Sequence, residues 1–217
     1  MKKLLFSAFL MLVFQLSNAQ NTDFSSNFIA GGSANLWITT DFQSDVSTQD
    51  FRSVNAGIRP YLAKSINQNL TLGLVFEYDF NSIQYDVFSP LPEISTELLK
   101  NESQFSAIGV FARTSFNPDN KLKFYLQPEL TYGRAIYTEQ RGTIFTADRT
   151  DKIYAAVLGF GGLYSLNDRF NLLVRLGSVG YNLTERNYNL QDVSERVNSA
   201  FASFRPADFS FGIEFKF

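Results

Sequence analysis

LTLGLVFEYDF, residues 70–80, places Leu70, Leu72, Leu74, Phe76, Tyr78 and Phe80 on one parity and Thr71, Gly73, Glu77 and Asp79 on the other, with only Val75 breaking the alternation. A period of two puts successive side chains on opposite faces of an extended strand; a helix would scatter the same residues around its axis. The stretch DFSFGIEFKF repeats the pattern, with Phe209, Phe211, Ile213, Phe215 and Phe217 alternating with Ser210, Gly212, Glu214 and Lys216. Residues 122–132 set Leu122, Phe124, Leu126, Leu130 and Tyr132 against Lys123, Gln127, Glu129 and Thr131. Pro128 falls on the apolar parity, where it removes a ladder donor and predicts a bulge.

The same template, carried outward, predicts strands over 28–41, 52–64, 70–85, 104–116, 122–138, 152–165, 170–184 and 204–217. Most exceed the roughly 9 to 11 residues with which a tilted strand crosses a bilayer, and all exceed the usual five or six of soluble sheets. Connections 65–69, 117–120 and 166–169 are short and rich in Asn, Asp and Pro, whereas 42–51, 86–103, 139–151 and 185–203 are longer and polar. Short turns interleaved with long loops predict an all-β, antiparallel up-and-down transmembrane barrel of about eight strands with both termini on one side.

Composition narrows the function. Aromatic residues make up 16% of the 217, mostly 23 Phe and 10 Tyr, more ring surface than a soluble core of this size collects. Nineteen basic against 21 acidic residues leave no basic stripe, so nucleic acid is not an expected partner. There is neither Cys nor His, which removes disulfides, thiolate nucleophiles and the commonest acid/base and metal ligand. Beyond the N-terminus no run reaches the roughly 20 apolar residues of a membrane helix.

Lys2 and Lys3, the apolar stretch 4–16 and the small residues Ser17 and Ala19 have the form of a secretory signal peptide, residues 1–19, cut before Gln20. The run is short for a retained anchor, and no Cys follows for lipidation. The mature chain 20–217 is expected to hold itself in a membrane by its own fold.

FIAGGSANLW, NAGIRPYLAKSINQNLTLGLVFEY, IGVFARTSF, QPELTYG, VLGFGGLYSLNDRFNLLVRLG and DFSFGIEFKF, in this order and spacing, resemble the small outer-membrane β-barrel family that includes OmpA-like and OmpX-like barrels. The resemblance covers nearly all of the mature chain. It implies the outer membrane of a Gram-negative cell envelope, outer-membrane lipid and the barrel assembly machinery as partners, and a terminal aromatic residue, here Phe217, read as an assembly signal. It implies no single activity, because fold is not function.

On the polar parity stand Arg59, Glu77, Arg113, Glu129, Arg175 and Glu214, with signs alternating around the sheet. An eight-stranded barrel has an interior just wide enough for side chains, so these six are expected to form a lumen salt-bridge network in which Arg113 faces Glu129. A proton or ion path is the other reading. Glu77 with Asp79, or Glu129 with Glu214, have the residue types of a glycosidase pair but would point into a filled lumen. Gly159, Gly161 and Gly162 open no helix and so are no phosphate cradle; they are read as room for the wall to bend. Asp148 and Asp151 lack the spacing of a calcium loop and are read as a solvated loop. Tyr78, Tyr132, Tyr137, Tyr154, Tyr164 and Tyr181 are expected in interfacial girdles.

No catalytic, metal or cofactor residues are assigned, and no enzymatic activity is expected. The expected function is an integral outer-membrane barrel with an envelope-structural or surface-contact role, its extracellular partner unknown. Loop 86–103, with Pro90, Pro92, Glu97 and Lys100 and the segment STELLKNE read as one or two helical turns, is the candidate contact surface. The alternative is a porin-like narrow pore for water, ions or small solutes. A soluble lipocalin-type barrel would reverse the faces and leave the Phe and Tyr surplus without a place.

Overall fold

The structure is a computed structural model and describes residues 28–41, 51–87, 97–141, 144–188, 193–204 and 209–217. The predicted signal peptide and Pro90 and Pro92 lie outside them. The strands are β1 (Phe28–Asp41), β2 (Phe51–Ser65), β3 (Leu70–Val87), β4 (Glu97–Phe116), β5 (Leu122–Arg141), β6 (Ile144–Ser165), β7 (Phe170–Tyr188), β8 (Val193–Ser203) and β9 (Ser210–Lys216). Every pairing is antiparallel between sequence neighbours except the closure, where β9 lies between β7 and β1. The sheet is therefore an up-and-down barrel.

The short turns are built by Asn. Asn67 Oδ1 accepts from the amides of Asn69 and Leu70 at 2.9 and 2.8 Å, and Asn167 Oδ1 accepts from Arg169 and Phe170, both at 2.9 Å. A carboxamide folded onto its own backbone two and three residues ahead replaces the ladder bonds that a reversing chain loses. Asn117 takes a left-handed φ of 54°, which Asn tolerates, and its carbonyl accepts from Asn120 at 3.1 Å.

Four expectations change. STELLKNE is not helical: from Glu97 onward it is β4, paired from Val87↔Glu97 to Ser82↔Glu102, so Glu97 and Lys100 stand in a strand and not in a loop. β6 likewise starts at Ile144, and Asp151 lies within it. These upper segments carry polar residues on both faces and so show no alternation to read. The predicted loop 185–203 holds a ninth strand, β8, and the predicted eighth strand 204–217 pairs, among the described residues, only from Ser210 onward, as β9; both lie on the same edge of β7, where Ser178 pairs Ser203 and Arg175 pairs Ser210. Pro128 makes no bulge; the β4–β5 register is the same on both sides of it, only the rungs Ala112/Pro128 and Arg113/Gln127 being missing, and the shifts fall at Glu139/Gln140 and Phe160/Gly161.

Partners followed once around the ring, from Val174 through Phe211, Ala34, Ile58, Tyr78, Ser106, Arg134 and Lys152, return to β7 at Glu185, eleven residues higher, one of them the extra Leu176 at the irregularity. That stagger of ten tilts the strands steeply and decides which inward side chains meet across the lumen. Above Ala34 no ladder joins β1 to β8 among the described residues.

Candidate functional site

Two surfaces carry the chemistry. The outer one is an apolar band: Leu62, Leu74, Phe76, Ile108, Val110, Leu126, Phe211 and Ile213 all point outward and are exposed. On β5 the band runs from Leu122 to Tyr132 and on β6 from Tyr154 to Tyr164, eleven residues each, before exposed Arg134 and Lys152 pair above it. Eleven tilted residues match the hydrocarbon thickness of a bilayer. Its upper margin is marked by Tyr78, Tyr132, Tyr154 and Tyr181, with the Tyr132 and Tyr154 rings 5.1 Å apart, and its lower margin by Phe28, Phe124, Tyr164, Phe170 and Phe217. The chain is built as a transmembrane β-barrel. Tyr137 departs from the predicted girdle: it points inward, beneath the Arg149 guanidinium at 4.0 Å.

The inner surface brings the six predicted charges together. Arg59 donates to Glu77 at 3.0 Å and to Glu129, and Arg175 donates to the other oxygen of Glu129 at 3.1 Å. Arg113 does not face Glu129 as expected; it reaches Glu214, because the stagger carries β9 to its level. The two groups are nevertheless joined. Arg113 Nε donates to Gln127 Oε1 at 2.6 Å, and Gln127 Nε2 donates to Glu129 Oε1 at 2.8 Å. Tyr61 Oη and Asn171 Nδ2 donate to Glu214 at 2.7 and 2.9 Å. Glu129, Arg113 and Glu214 are each only 2% exposed, so a carboxylate there is tolerated only because both of its oxygens accept from donors, three donors to each group.

Sequence reasoning missed Tyr61, Gln127 and Asn171. The signal was present, since Tyr61 and Gln127 each lie two positions from a lumen charge, on the same face. Beneath the network the lumen is packed with Ile29, Val75, Phe111, Tyr125, Leu163 and Leu173. Val75, the one break in the opening alternation, is thus a core residue. The Arg113 guanidinium lies 4.9, 5.0 and 5.4 Å from the ring centroids of Tyr61, Tyr125 and Phe111, which hold its charge from below. Gly159 leaves room for a lumen charge: a Cβ there would sit 2.9 Å from Arg175 Nη2.

Asp151 is buried, not in a solvated loop, and meets Arg149 at 3.0 Å and Arg186 at 4.0 Å. No cluster of three or more metal-ligating side chains occurs among the described residues.

No family model matches the chain, and no curated protein matches it. Among solved structures it is similar to neisserial surface protein A, at 15% identity over 89% of this chain and 100% of that one, with a TM-score of 0.41. It is also similar to a major outer membrane protein from Thermus thermophilus, at 10% identity, 89% and 100% coverage and a TM-score of 0.42. The outer membrane protease OmpT from Escherichia coli aligns at 9% identity over 93% of this chain and 100% of that one, with a TM-score of 0.38. The barrel assignment rests on the hydrogen-bonded ring itself, and nothing about activity is transferred from these proteins.

Proposed function

We propose that this protein is a non-conducting, non-enzymatic integral protein of the outer membrane, with an envelope-structural or surface-contact role. One observation carries the reading: an apolar band of bilayer height surrounds a lumen that is closed by an ion-pair network seated on an aromatic core. Backbone groups in lipid must be satisfied within the fold, which the ring of ladders, closed between β1 and β9 from Phe28 to Ala34, achieves over the lower part of the band. β4 to β7 continue well above the band, so their polar upper ends and the connections between them are the surface offered to the outside.

The test is planar-bilayer recording together with fractionation. The full chain is expected in the outer-membrane fraction, resistant to carbonate extraction, and to show no conductance steps. Steady unitary conductance from the unmodified protein would replace this reading with the narrow pore. Recovery in the soluble fraction without detergent would reject both.

A further inference from the structure

The barrel's two halves are filled differently. Below the ion-pair network the lumen is solid with Tyr61, Phe111 and Tyr125. Above it lies a cavity of about 320 Å³. That is the lower end of the range for small-molecule pockets. Barrel width does not force this vacancy, because the same eight positions around the ring hold a packed core a few residues lower. The difference lies in the side chains: Thr131, Ala135, Ala155 and Ser178 line the upper wall where rings line the lower one. Three rings do line it: Tyr137 lies under the Arg149 guanidinium, and Phe105 and Phe201 are each laid against a glycine. A Cβ on Gly133 would stand 2.5 Å from the Phe105 ring, and one on Gly180 2.8 Å from the Phe201 ring. The glycines let the phenyl groups lie down as walls and leave the centre open.

The floor has a sign. Arg59 and Arg175 both donate to Glu129, and Arg59 alone reaches Glu77. Asp79, two positions along from Glu77 on the same face and opposite Phe105 in the register, also points inward, its carboxylate lying where a Cβ on Gly57 would stand. Three carboxyl groups thus share two guanidinium groups. Glu77 is the most accessible charged side chain in the network, at 24% against 15% for Arg59, 13% for Arg175 and 1% for Glu129. At the mouth, Arg149 and Arg186 are engaged by Asp151, and Arg186 also by Glu195, so these two cations are paired and do not stand free at the entrance.

We propose that this cup is a binding site for a small organic cation with an apolar body. Its ammonium group is seated toward Glu77, and its body lies between Phe105 and Phe201. A compact ammonium group replaces water beside the carboxyls and meets the negative faces of the two rings, which is the combination that selects cations over neutral or anionic molecules of the same shape. Trp37, the chain's single tryptophan, stands on the inward face of β1 and supplies a fluorescence reporter.

The full chain, refolded into nanodiscs, is titrated with benzyltrimethylammonium, benzyl alcohol and benzenesulfonate by calorimetry and by Trp37 emission. Saturable binding of the cation at one site per chain is expected, with the neutral probe weaker and the anion without effect. Glu77→Gln should weaken the cation about tenfold or more, the loss of one charge-assisted contact. Ala155→Phe, which fills the cup without touching the network, should abolish binding. Both variants are compared only as folded protein, shown by heat-modifiable mobility, and the ranking of the three probes needs neither. Absence of saturable cation binding, equal or tighter binding of benzenesulfonate, or undiminished binding to Ala155→Phe would each overturn the proposal.

Discussion

Glu129 is held by Arg59, Arg175 and Gln127 at once, from three different strands, and is almost without solvent. Removing it leaves two largely buried guanidinium groups without the carboxylate they share. Glu129→Ala is therefore expected to cost about 3 to 5 kcal/mol, whereas breaking Arg196–Glu185 at the rim, with Arg196 77% exposed, should cost about 0 to 1. Glu129→Gln should fall between them, because the amide still accepts a hydrogen bond. Urea unfolding in detergent measures the order. A double-mutant cycle of Glu129→Gln with Arg175→Met should show clear coupling; the same cycle with Arg113 should show less, since Gln127 intervenes. Asn117 gives a smaller test of the same kind. Asn117→Ala should cost about 1 kcal/mol at its positive φ, and Asn117→Gly nearly nothing.

At the scale of the strand, the outward parity predicts where charge is intolerable. Ile213, 57% exposed and near the middle of the band, should lose about 2 to 4 kcal/mol on substitution by Arg. On β3 the margin at Tyr78 and the turn before Leu70 place Leu74 at mid-depth and Leu72 near the lower edge. Leu74→Arg should therefore be worse than Leu72→Arg. Thr71→Ser, on the inward face, should be nearly silent. Unfolding in lipid vesicles gives this ranking, and a reversal would mean that the outer face is not in lipid. The upper halves of β4 and β6 and the whole of β8 escaped sequence reading for a physical reason. Outside the bilayer both faces of a strand meet water, so hydration removes the alternation on which strand recognition depends, while the backbone goes on pairing.

For the molecule as a whole, the decisive contact is the closure. Phe28 and Phe217 exchange both backbone hydrogen bonds, at 3.0 and 2.9 Å, and their rings stack 6.2 Å apart. Deleting Phe217 removes the lowest rung of the β1–β9 seam and one member of the lower aromatic margin. Export should be unchanged, with the folded, heat-modifiable form much reduced in the membrane fraction. Wild-type yield of that form would count against it.

The sequence by itself determined the barrel class, the inward and outward faces, the three short turns and the six charges of the lumen. Each of these is a local property: a period of two, an Asn folded onto its own backbone, a polar residue on a fixed parity. What the sequence did not carry was which charges meet. Arg113 and Glu129 lie on adjacent strands, yet Arg113 finds Glu214 and Glu129 finds Arg59 and Arg175. That choice belongs to the stagger of the closed ring, which is fixed only when β9 docks beside β1. The pairing of both β8 and β9 with one edge of β7 and the open upper cup were likewise decided there. Both depend on how far one strand has slid past another by the time the barrel closes, a displacement that no single strand's residues encode.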